Sequence, residues 1–399
     1  MGSSTYTTLG VLEESTLGTT PASALRLINC TATLQMDRDA QRPEIWTGSQ
    51  DRYPERPMSE GGTLTIEGPQ QYENMLELQE GLYGAARSSA VSISGTGIAF
   101  TTATITDSGN GLATVLVGDF VYIGGVVTAT ANNGWHGPVI ASAAGTLTFA
   151  ASTFTAESAG ATITIKTRRL VQPATATLKT YSTEIFDTTD ANYQSMLAAV
   201  VSGATYNWAN GGFATEQYTL MGRLPARAAS SIGTGAATAA KISPFINVPT
   251  DWGSIYYGTS SAVTAANAAI FTSLQLQANP NVEAIKGLGD LGPSTYSRGP
   301  MDWTLTGSVY LNANGLAFVN DALSHATRWL AWEHADPAGN RDFWFFPANK
   351  ISIGNFERGA PTTQKTVSFT ATTHSGAFDS GSAFTTTIPR QAYRFWVPA

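Results

Sequence analysis

The sequence predicts a mainly β protein, with two β-sandwich or barrel units in tandem, each carrying a short helix, and a small inserted β-domain. Three observations predict this class: long stretches alternate between polar and apolar residues, charged residues are few, and both halves repeat one order of elements. Charged residues make up 13% of the 399, against about 25% in ordinary soluble chains. Such a composition is typical of neutral strands and large subunit interfaces.

The first alternating strand begins near Arg26 and is unusually long. Its apolar face carries Ile28, Cys30, Ala32, Leu34 and Met36. A polar loop follows over residues 37–60, and alternation resumes over residues 62–68, which predicts a long hairpin with an extended loop. A helix is expected between Pro69 and Gly84, because proline suits a first helical turn and glycine suits a helix end.

Residues 86–168 differ from their surroundings in being rich in Gly, Ser, Thr and Ala. Short strands are expected at Val115–Ile123, Thr146–Phe149 and Thr162–Lys166, separated by turn signals such as Asn132-Asn133-Gly134. We interpret this stretch as an inserted outer β-domain. The first unit is then discontinuous and comprises residues 1–85 and 169–225.

Strands resume after the insertion. They are expected at Ala174–Ser182, Ala198–Trp208 and Phe213–Gly222. Residues 226–269 are rich in small residues and contain two prolines, so we expect an irregular connection there.

The second unit is expected over residues 270–399. Alternation returns over residues 270–278 and 302–311, and Asn312 can cap a helix that carries Leu316, Val319 and Leu323. Four more strands are expected, at Trp329–Glu333, Arg341–Phe346, Ile351–Phe356 and Thr366–Thr372.

The two units match in spacing as well as order. Leu34 and Leu64 are 30 residues apart, and Leu276 and Leu305 are 29 apart. We interpret this as a duplication, although sequence identity between the halves is weak. The alternative is that any all-β chain with regular turns can be divided in this way.

Charge and cysteine content exclude several classes. The net charge is −7 without any basic run, which argues against stable nucleic-acid binding. The single cysteine, Cys30, excludes an internal disulfide and a cysteine-based metal site. Residues 1–18 lack a signal-peptide pattern, and no window approaches the roughly 20 apolar residues of a membrane span. We expect synthesis in a cytoplasm and no membrane insertion.

Several stretches resemble the major tail tube proteins of long-tailed bacteriophages with non-contractile tails, the siphophages. These stretches are Glu13 to Pro21, Glu184 to Asp187 with Ala191 to Gln194, Phe343 to Ile351, and Val117 to Gly124 with Asn132 to Gly134. The last resembles small β-domains inserted in phage tail proteins. The likeness covers most of the chain outside the connection after Pro225. The doubling departs from the common single fold per chain.

The resemblance implies a structural subunit of the virion tail that polymerises into stacked rings, forming a channel for DNA delivery. Its implied partners are further copies of itself, the tape measure protein and the tail-tip and terminator proteins. DNA would pass through without specific binding. Two tube folds per chain would give pseudo-hexameric rings of three chains, which we favour, whereas one tube fold would require six chains.

The polar faces of the long strands are the expected channel lining. They carry Asn29, Thr31, Thr33, Gln35, Thr63, Thr65, Glu67, Ser273, Gln275, Gln277, Asp302, Thr304, Thr306 and Ser308. None is Lys or Arg, so this wall would not hold DNA phosphates. The alternative is the solvated face of an ordinary antiparallel sheet.

The two long hairpin loops are the expected contacts between stacked rings, because they mix charges with aromatic residues. The expected interface residues are Arg42, Trp46, Arg52, Tyr53, Arg56, Glu283, Lys286, Asp290 and Arg298. The alternative for any one of them is a solvated loop position.

We expect no enzyme, and no catalytic, cofactor-binding or metal site, because the four histidines are scattered and no catalytic motif occurs. Two alternatives remain open. One is a virion or cell-surface adhesin that binds glycans through its β-domains, with exposed aromatics such as Trp135. The other is a glycosidase with paired carboxylates.

Overall fold

The computed structural model describes residues 8–41, 55–173, 175–187, 192–258, 271–311, 313–356, 365–374 and 392–398. Within them the protein is mainly β, as predicted, with helices that are few and short.

The first unit opens with four strands and a helix. They are β1 Thr8–Glu14, β2 Arg26–Ile28, β3 Thr31–Gln41, β4 Arg56–Pro69 and α1 Leu76–Tyr83. The helix begins later than expected, because Pro69 ends β4 instead of opening a helix. Gly84 closes α1 as predicted: it adopts φ +66°, which glycine tolerates best, and its N–H donates to the Glu80 carbonyl.

The insertion is a small β-sandwich of two four-stranded sheets. Its strands are β5 Val91–Gly95, β6 Ile98–Phe100, β7 Thr104–Asp107, β8 Val121–Gly124, β9 Gly134–His136, β10 Ala141–Ala143, β11 Thr146–Thr148 and β12 Ile163–Thr167. The expected strand at residues 115–123 is shortened because Asp119 makes a turn, accepting the Leu116 N–H at 2.8 Å. The two ends of the insertion meet where the Ser88 N–H donates to the Arg169 carbonyl at 2.9 Å.

After the insertion the first unit is completed by longer strands. They are β13 Arg169–Val171, β14 Thr180–Asp187, β15 Asn192–Ala209, β16 Thr215–Gly222 and β17 Ala226–Ala228. The expected irregular connection also contains the short helix α2 (Val248–Asp251) and the strand β18 (Trp252–Gly258). β18 pairs with a strand of the second unit, so the sheet of that unit includes residues that precede residue 270.

The second unit contains eight further strands and one helix. They are β19 Phe271–Asn279, β20 Val282–Ile285, β21 Thr295–Arg298, β22 Asp302–Tyr310, α3 Ala313–Leu323, β23 Thr327–Ala335, β24 Arg341–Phe356, β25 Thr366–Thr373 and β26 Tyr393–Val397. The two strands expected at residues 341–346 and 351–356 form one continuous strand, β24.

Both units show one strand order. Across the sheet it is β3-β4-β16-β15 in the first unit and β19-β22-β25-β24 in the second. The preceding strands also correspond, since β1 pairs with β14 and β14 with β15, whereas β18 pairs with β23 and β23 with β24. The units are joined edge to edge by β15 and β19, which pair from Ala204↔Ala278 to Ala209↔Ser273. Eight strands therefore form one continuous surface.

One hydrophobic core runs through both units, and large aromatic rings join them. Trp208 of β15 lies 5.4 Å from Trp332 of β23, and Tyr206 lies 5.0 Å from Trp344 of β24, measured between ring centroids. These rings are fully or almost fully buried. Each such side chain buries a large apolar area, so the two units share one core and are not separate domains.

Buried hydrogen bonds also connect the two units. Gln70 of the first unit accepts the Trp208 indole N–H at 2.9 Å, and its amide donates to Asp342 of the second unit at 3.4 Å. Asp342 also accepts the Arg394 Nε–H at 2.9 Å. Burial alone would raise the pKa of Asp342, but the Arg394 charge and the His334 contact lower it to about 2.

The inserted domain is docked on the second unit through aromatic residues. Phe120 lies between Phe343, Phe345 and Phe395, with ring centroids 5.0, 4.8 and 5.3 Å away. Trp135 stacks on Phe343 at 5.2 Å. The insertion therefore covers an aromatic surface of the main body.

Candidate functional site

The eight-stranded sheet presents one face of small polar side chains. A single cross-strand row runs over all eight strands, from β3 at one edge to β24 at the other. Its members are Thr31, Glu67, Gln217, Thr205, Gln277, Thr304, Thr372 and Lys350. All eight are exposed or half-buried. Because side chains alternate along a strand, their sequence neighbours point to the opposite face.

The opposite face is the core. Each strand carries apolar residues next to its member of the polar row. Four of them, Ile66, Tyr218, Leu276 and Leu305, are 0–3% exposed. The sheet is thus polar on one side and packed on the other.

The fourteen predicted lining residues all lie in the described part of the chain, and the structure brings them to this one face or its edge. Amides on this face bond to one another: Gln275 Nε2 donates at 2.6 Å to Oδ1 of Asn207, which was not predicted, and Gln277 Nε2 donates to Gln275 Oε1 at 3.4 Å. Asn29 lies just before β3, where its side chain contacts Gln71. The predicted set therefore forms two patches of one face, on β3–β4 and on β19–β22, which β16 and β15 join.

Half of the polar face was missed by sequence reasoning. It comes from β15, β16, β24 and β25, and its members include Thr205, Asn207, Gln217, Thr219, Lys350, Ser352, Ser368, Thr370 and Thr372. The alternation of Thr215–Gly222 and Thr366–Thr373 was the available signal. The sequence did not show that these four strands pair with β3, β4, β19 and β22, or that their polar faces lie on the same side of the sheet.

The full face is mainly neutral, with a few acidic positions and one lysine. Asp37, Glu67 and Asp302 contribute negative charge, and Thr63 donates to Asp37 Oδ2 at 2.8 Å. Lys350 adds a basic residue that the four predicted strands lack. Its amine donates to the His325 carbonyl at 2.7 Å, which directs the charge toward one end of the sheet.

Two edges of this sheet are open among the described residues. β3 pairs only with β4, and the Ile351–Phe356 part of β24 pairs only with β25. Apolar side chains next to a paired edge are buried, whereas one next to an open edge is exposed. In β19, whose outer edge is covered by β15, Leu274, Leu276 and Ala278 are 0–3% exposed, whereas Met36 of β3 is 56% exposed.

The predicted loop residues fall into two groups. Arg42, Trp46, Arg52 and Tyr53 lie outside the described residues. Arg56 is exposed at the start of β4, and Glu283 and Asp290 are exposed on the second loop.

The second loop forms a hairpin, β20–β21, that folds onto the first unit of its own chain. The Lys286 amine contacts the Ser59 hydroxyl, and the Glu60 N–H donates to the Leu291 carbonyl at 2.8 Å. Arg298 donates to the carbonyls of Gly81, at 2.9 Å, and Leu82. Lys286 and Arg298 thus make contacts within the chain, which the sequence did not anticipate.

A sheet with a polar face, a packed face and two open edges is characteristic of a structural subunit that continues its sheet into other copies. The comparison with protein families agrees with this class. A family model described as phage tail tube protein matches residues 6–372, so the chain belongs to the phage tail tube protein family. No curated protein matches the sequence.

The chain is therefore a structural subunit of a phage tail tube and a component of the virion tail, as the sequence predicted. The helices in the described residues are too short or too polar to cross a membrane.

Proposed function

We propose that three chains close into a ring in which every open β24 edge pairs with the β3 edge of the next chain. One observation carries this proposal: the junction of β15 with β19 inside the chain. β24 occupies in the second unit the place of β15 in the first, and β3 occupies the place of β19. The junction between chains would repeat the junction that each chain already contains.

We infer that the chain carries a duplicated tube fold, which would support this arrangement. The spacing between matching positions is 242 residues from Leu34 to Leu276, and 241 from Leu64 to Leu305 and from Gly84 to His325. Gly84 and His325 both follow a helix and both adopt positive φ, +66° and +49°. The two units also share their strand order, which favours a duplication over a chance division of an all-β chain.

The number of strands favours three chains. Eight strands per chain give 24 in a ring of three, and at about 4.8 Å per strand the circumference is about 115 Å and the diameter about 37 Å before strand tilt widens it. Six chains would give about twice that diameter. Of the two, the smaller barrel is the closer in width to one DNA duplex.

In this ring the polar face becomes the channel wall. Its hydroxyl and amide groups offer DNA no cluster of cations, and the acidic positions repel phosphates, so the duplex slides without being held. Rings stacked head to tail make a tube, as expected for a siphophage tail, with tape measure protein inside and terminator and tail-tip proteins at its ends. The exposed Arg56, Glu283 and Asp290 are the described loop residues that remain for contacts between rings.

The glycan-binding alternative is not favoured. Its proposed aromatic, Trp135, is half-buried and stacks on Phe343, so this ring serves to dock the inserted domain.

Edge pairing is tested by placing a charge on the open edge. In Met36→Lys the new ammonium would lie where the next chain's strand must pack, so we expect folded subunits that fail to form rings or tubes. Val127→Lys on the insertion, where Val127 is 70% exposed, is the matched control and should assemble normally.

Light scattering gives the ring mass, expected at about three times the 42.0 kDa chain, and negative-stain microscopy shows the tubes. Normal tubes from Met36→Lys, or rings of twice that mass, would contradict the proposal.

A further inference from the structure

Two clusters of exposed apolar side chains lie at opposite ends of the first unit. The tip cluster is on the β20–β21 hairpin, where Leu288 is fully exposed, and it consists of Ile285, Leu288 and Leu291. The turn cluster lies after β15 and in the connection, and it consists of Phe213, Ile242 and Phe245, which are 58%, 86% and 42% exposed. Grouped apolar side chains in water mark a contact surface, whereas single ones do not.

The strand registers place the two clusters at opposite ends of the polar sheet. β15 and β19 are antiparallel and pair from Ala204↔Ala278 to Ala209↔Ser273. The turn that leads to Phe213 follows Ala209, at the Ser273 end of β19. The hairpin follows Asn279, at the Ala204 end of β15. The turn therefore leaves the sheet at one end and the hairpin leaves it at the other.

The β20–β21 hairpin covers one end of the first unit. Its Val282 and Tyr296 are buried against Ala198 and Val200 of β15, with Leu17, Leu178 and Met221 packed around them. The tip is closed by a turn in which the Asp290 N–H donates to the Gly287 carbonyl at 3.1 Å. One part of the hairpin is thus fixed to its own chain, and the tip cluster is the apolar part that its own chain leaves exposed.

The connection covers the other end of the first unit. The Ala214 N–H donates to the Ile246 carbonyl at 2.9 Å, and the Ile246 N–H donates to the Gln70 carbonyl at 3.2 Å. Ala214 and Ile246 are buried, so the adjacent Phe213 and Phe245 point away from the core. Their aromatic centroids are 6.0 Å apart. The two phenyl groups therefore form one apolar surface at this end.

We propose that the tip cluster of one ring packs on the turn cluster of the next ring in the tube. The occupant of each surface is a second copy of this chain. The chain belongs to the phage tail tube protein family, and a tube built from one kind of subunit repeats a contact between two unlike ends. The contact rests on the head-to-tail stacking proposed above, and it applies to rings of three chains or of six.

The chemistry of both surfaces suits this pairing. Apolar groups are exposed on each side, so bringing them together removes apolar surface from water on both chains. Glu283 and Asp290 are exposed on the same hairpin and would lie at the rim of the contact, where charges favour one orientation more than they add affinity. Ring stacking would then depend on apolar burial, and not mainly on the loop charges.

Charged substitutions test the contact. Leu288→Lys and Phe213→Lys change exposed side chains, so the subunits should keep the urea midpoint of the parent and still form rings. The concentration needed for half-maximal tube formation should rise at least about tenfold, because a buried ammonium without a partner is costly. Val127→Lys on the insertion is the matched control. Leu288→Lys combined with Phe213→Glu places opposite charges in the contact and should form tubes better than either lysine variant.

A cysteine pair tests which surfaces meet. Cys30, the single cysteine, is first replaced by alanine, and Leu288→Cys is combined with Phe213→Cys. A short thiol cross-linker applied to assembled tubes should give a ladder of covalent oligomers that extends past the number of chains in one ring. Leu288→Cys combined with Val127→Cys should stay monomeric. The thiol at position 288 should react with a maleimide in unassembled subunits and be protected in tubes.

The failure of this contact is distinguishable from the failure of the ring. If the parent forms no rings, the ring proposal is wrong. If rings form and both lysine variants make tubes at the parent's concentration, or the 288–213 pair gives no ladder, the contact proposed here is wrong and the ring stands. A thiol at position 288 that is already protected in unassembled subunits would show that another part of the same chain covers the tip, and would also overturn the contact. The lysine variants keep Cys30, so they decide the question independently of the alanine background.

Discussion

Glu216 is a carboxyl group buried in the core of a structural protein, and its ionisation should make the subunit sensitive to pH. It lies on β16 at an inward position of an alternating strand and is 1% exposed. Gln79 Nε2 and the Tyr218 hydroxyl each donate to its Oε2 at 3.3 Å, while Oε1 has no hydrogen-bond partner among the described residues. Burial raises its pKa to about 7, and the Arg394 charge opposes the rise.

The sign and size of the effect follow from proton linkage. The pKa of this carboxyl is 4.5 in the unfolded chain and about 7 in the folded one. Between these two pH values, folding therefore takes up a proton. Its contribution to stability is complete below pH 4.5 and is lost as pH rises through 7. At 1.36 kcal/mol per pKa unit the loss is about 3 kcal/mol.

Glu216→Gln should remove this loss, because glutamine is neutral at every pH and keeps one acceptor oxygen. Urea unfolding of the unassembled subunit at pH 5 and pH 8.5 measures it. The parent should lose about 3 kcal/mol more of its unfolding free energy than the variant between these pH values. Other groups titrate in both proteins, so the difference between the two isolates Glu216.

Glu73→Gln is the control of opposite sign. Burial would raise the pKa of Glu73, but hydrogen bonds from Lys241 and Trp396 and the Arg168 charge lower it. Its carboxylate therefore stabilises the fold above its unfolded pKa, and the variant should be less stable than the parent at pH 7. Equal pH slopes for the parent and Glu216→Gln would refute the reasoning about burial at position 216.

Three further outcomes are expected. Phe120→Ala should destabilise the subunit by about 3–5 kcal/mol in urea unfolding, because a buried ring between three phenylalanines is lost; an unchanged midpoint would show that the insertion is not held there. Thr31→Lys and Gln275→Lys together should still give tubes but slow DNA passage, read out as reduced infectivity that recovers at higher salt; normal infectivity would count against the channel assignment. Gly81→Val should lower stability strongly, because even a Cβ there would lie 2.7 Å from the Tyr181 hydroxyl; a midpoint within experimental error of the parent would disprove that packing.

The polar lining shows how far local pattern reaches. Alternation along residues 28–36 and 270–278 predicted the strands and separated Thr31 and Gln275 from Leu34 and Leu276 correctly. Period-two alternation is a local property, set by backbone geometry and by burial of one face, so a sequence records it directly. Whether this face lines a channel stays a prediction.

Long-range pairing was beyond the sequence. Nothing in residues 204–209 or 273–278 marks them as neighbours, because any two strands with an apolar face can pair and the choice depends on the whole packed body. The same holds for Lys350, whose strand was predicted but whose place on the polar face follows from pairing with β25.

The second loop gives the clearest contrast. Its charged and aromatic residues suggested a contact with other molecules, but Arg298 binds the end of α1 in its own chain. By itself the sequence determined the class, most of the long strands and their polar faces, whereas the duplication stays a prediction. Only the tertiary structure decided which edges meet, which stay open and which charges are used internally. Those contacts join residues more than sixty positions apart, and their free energy exists only once the core has brought them together.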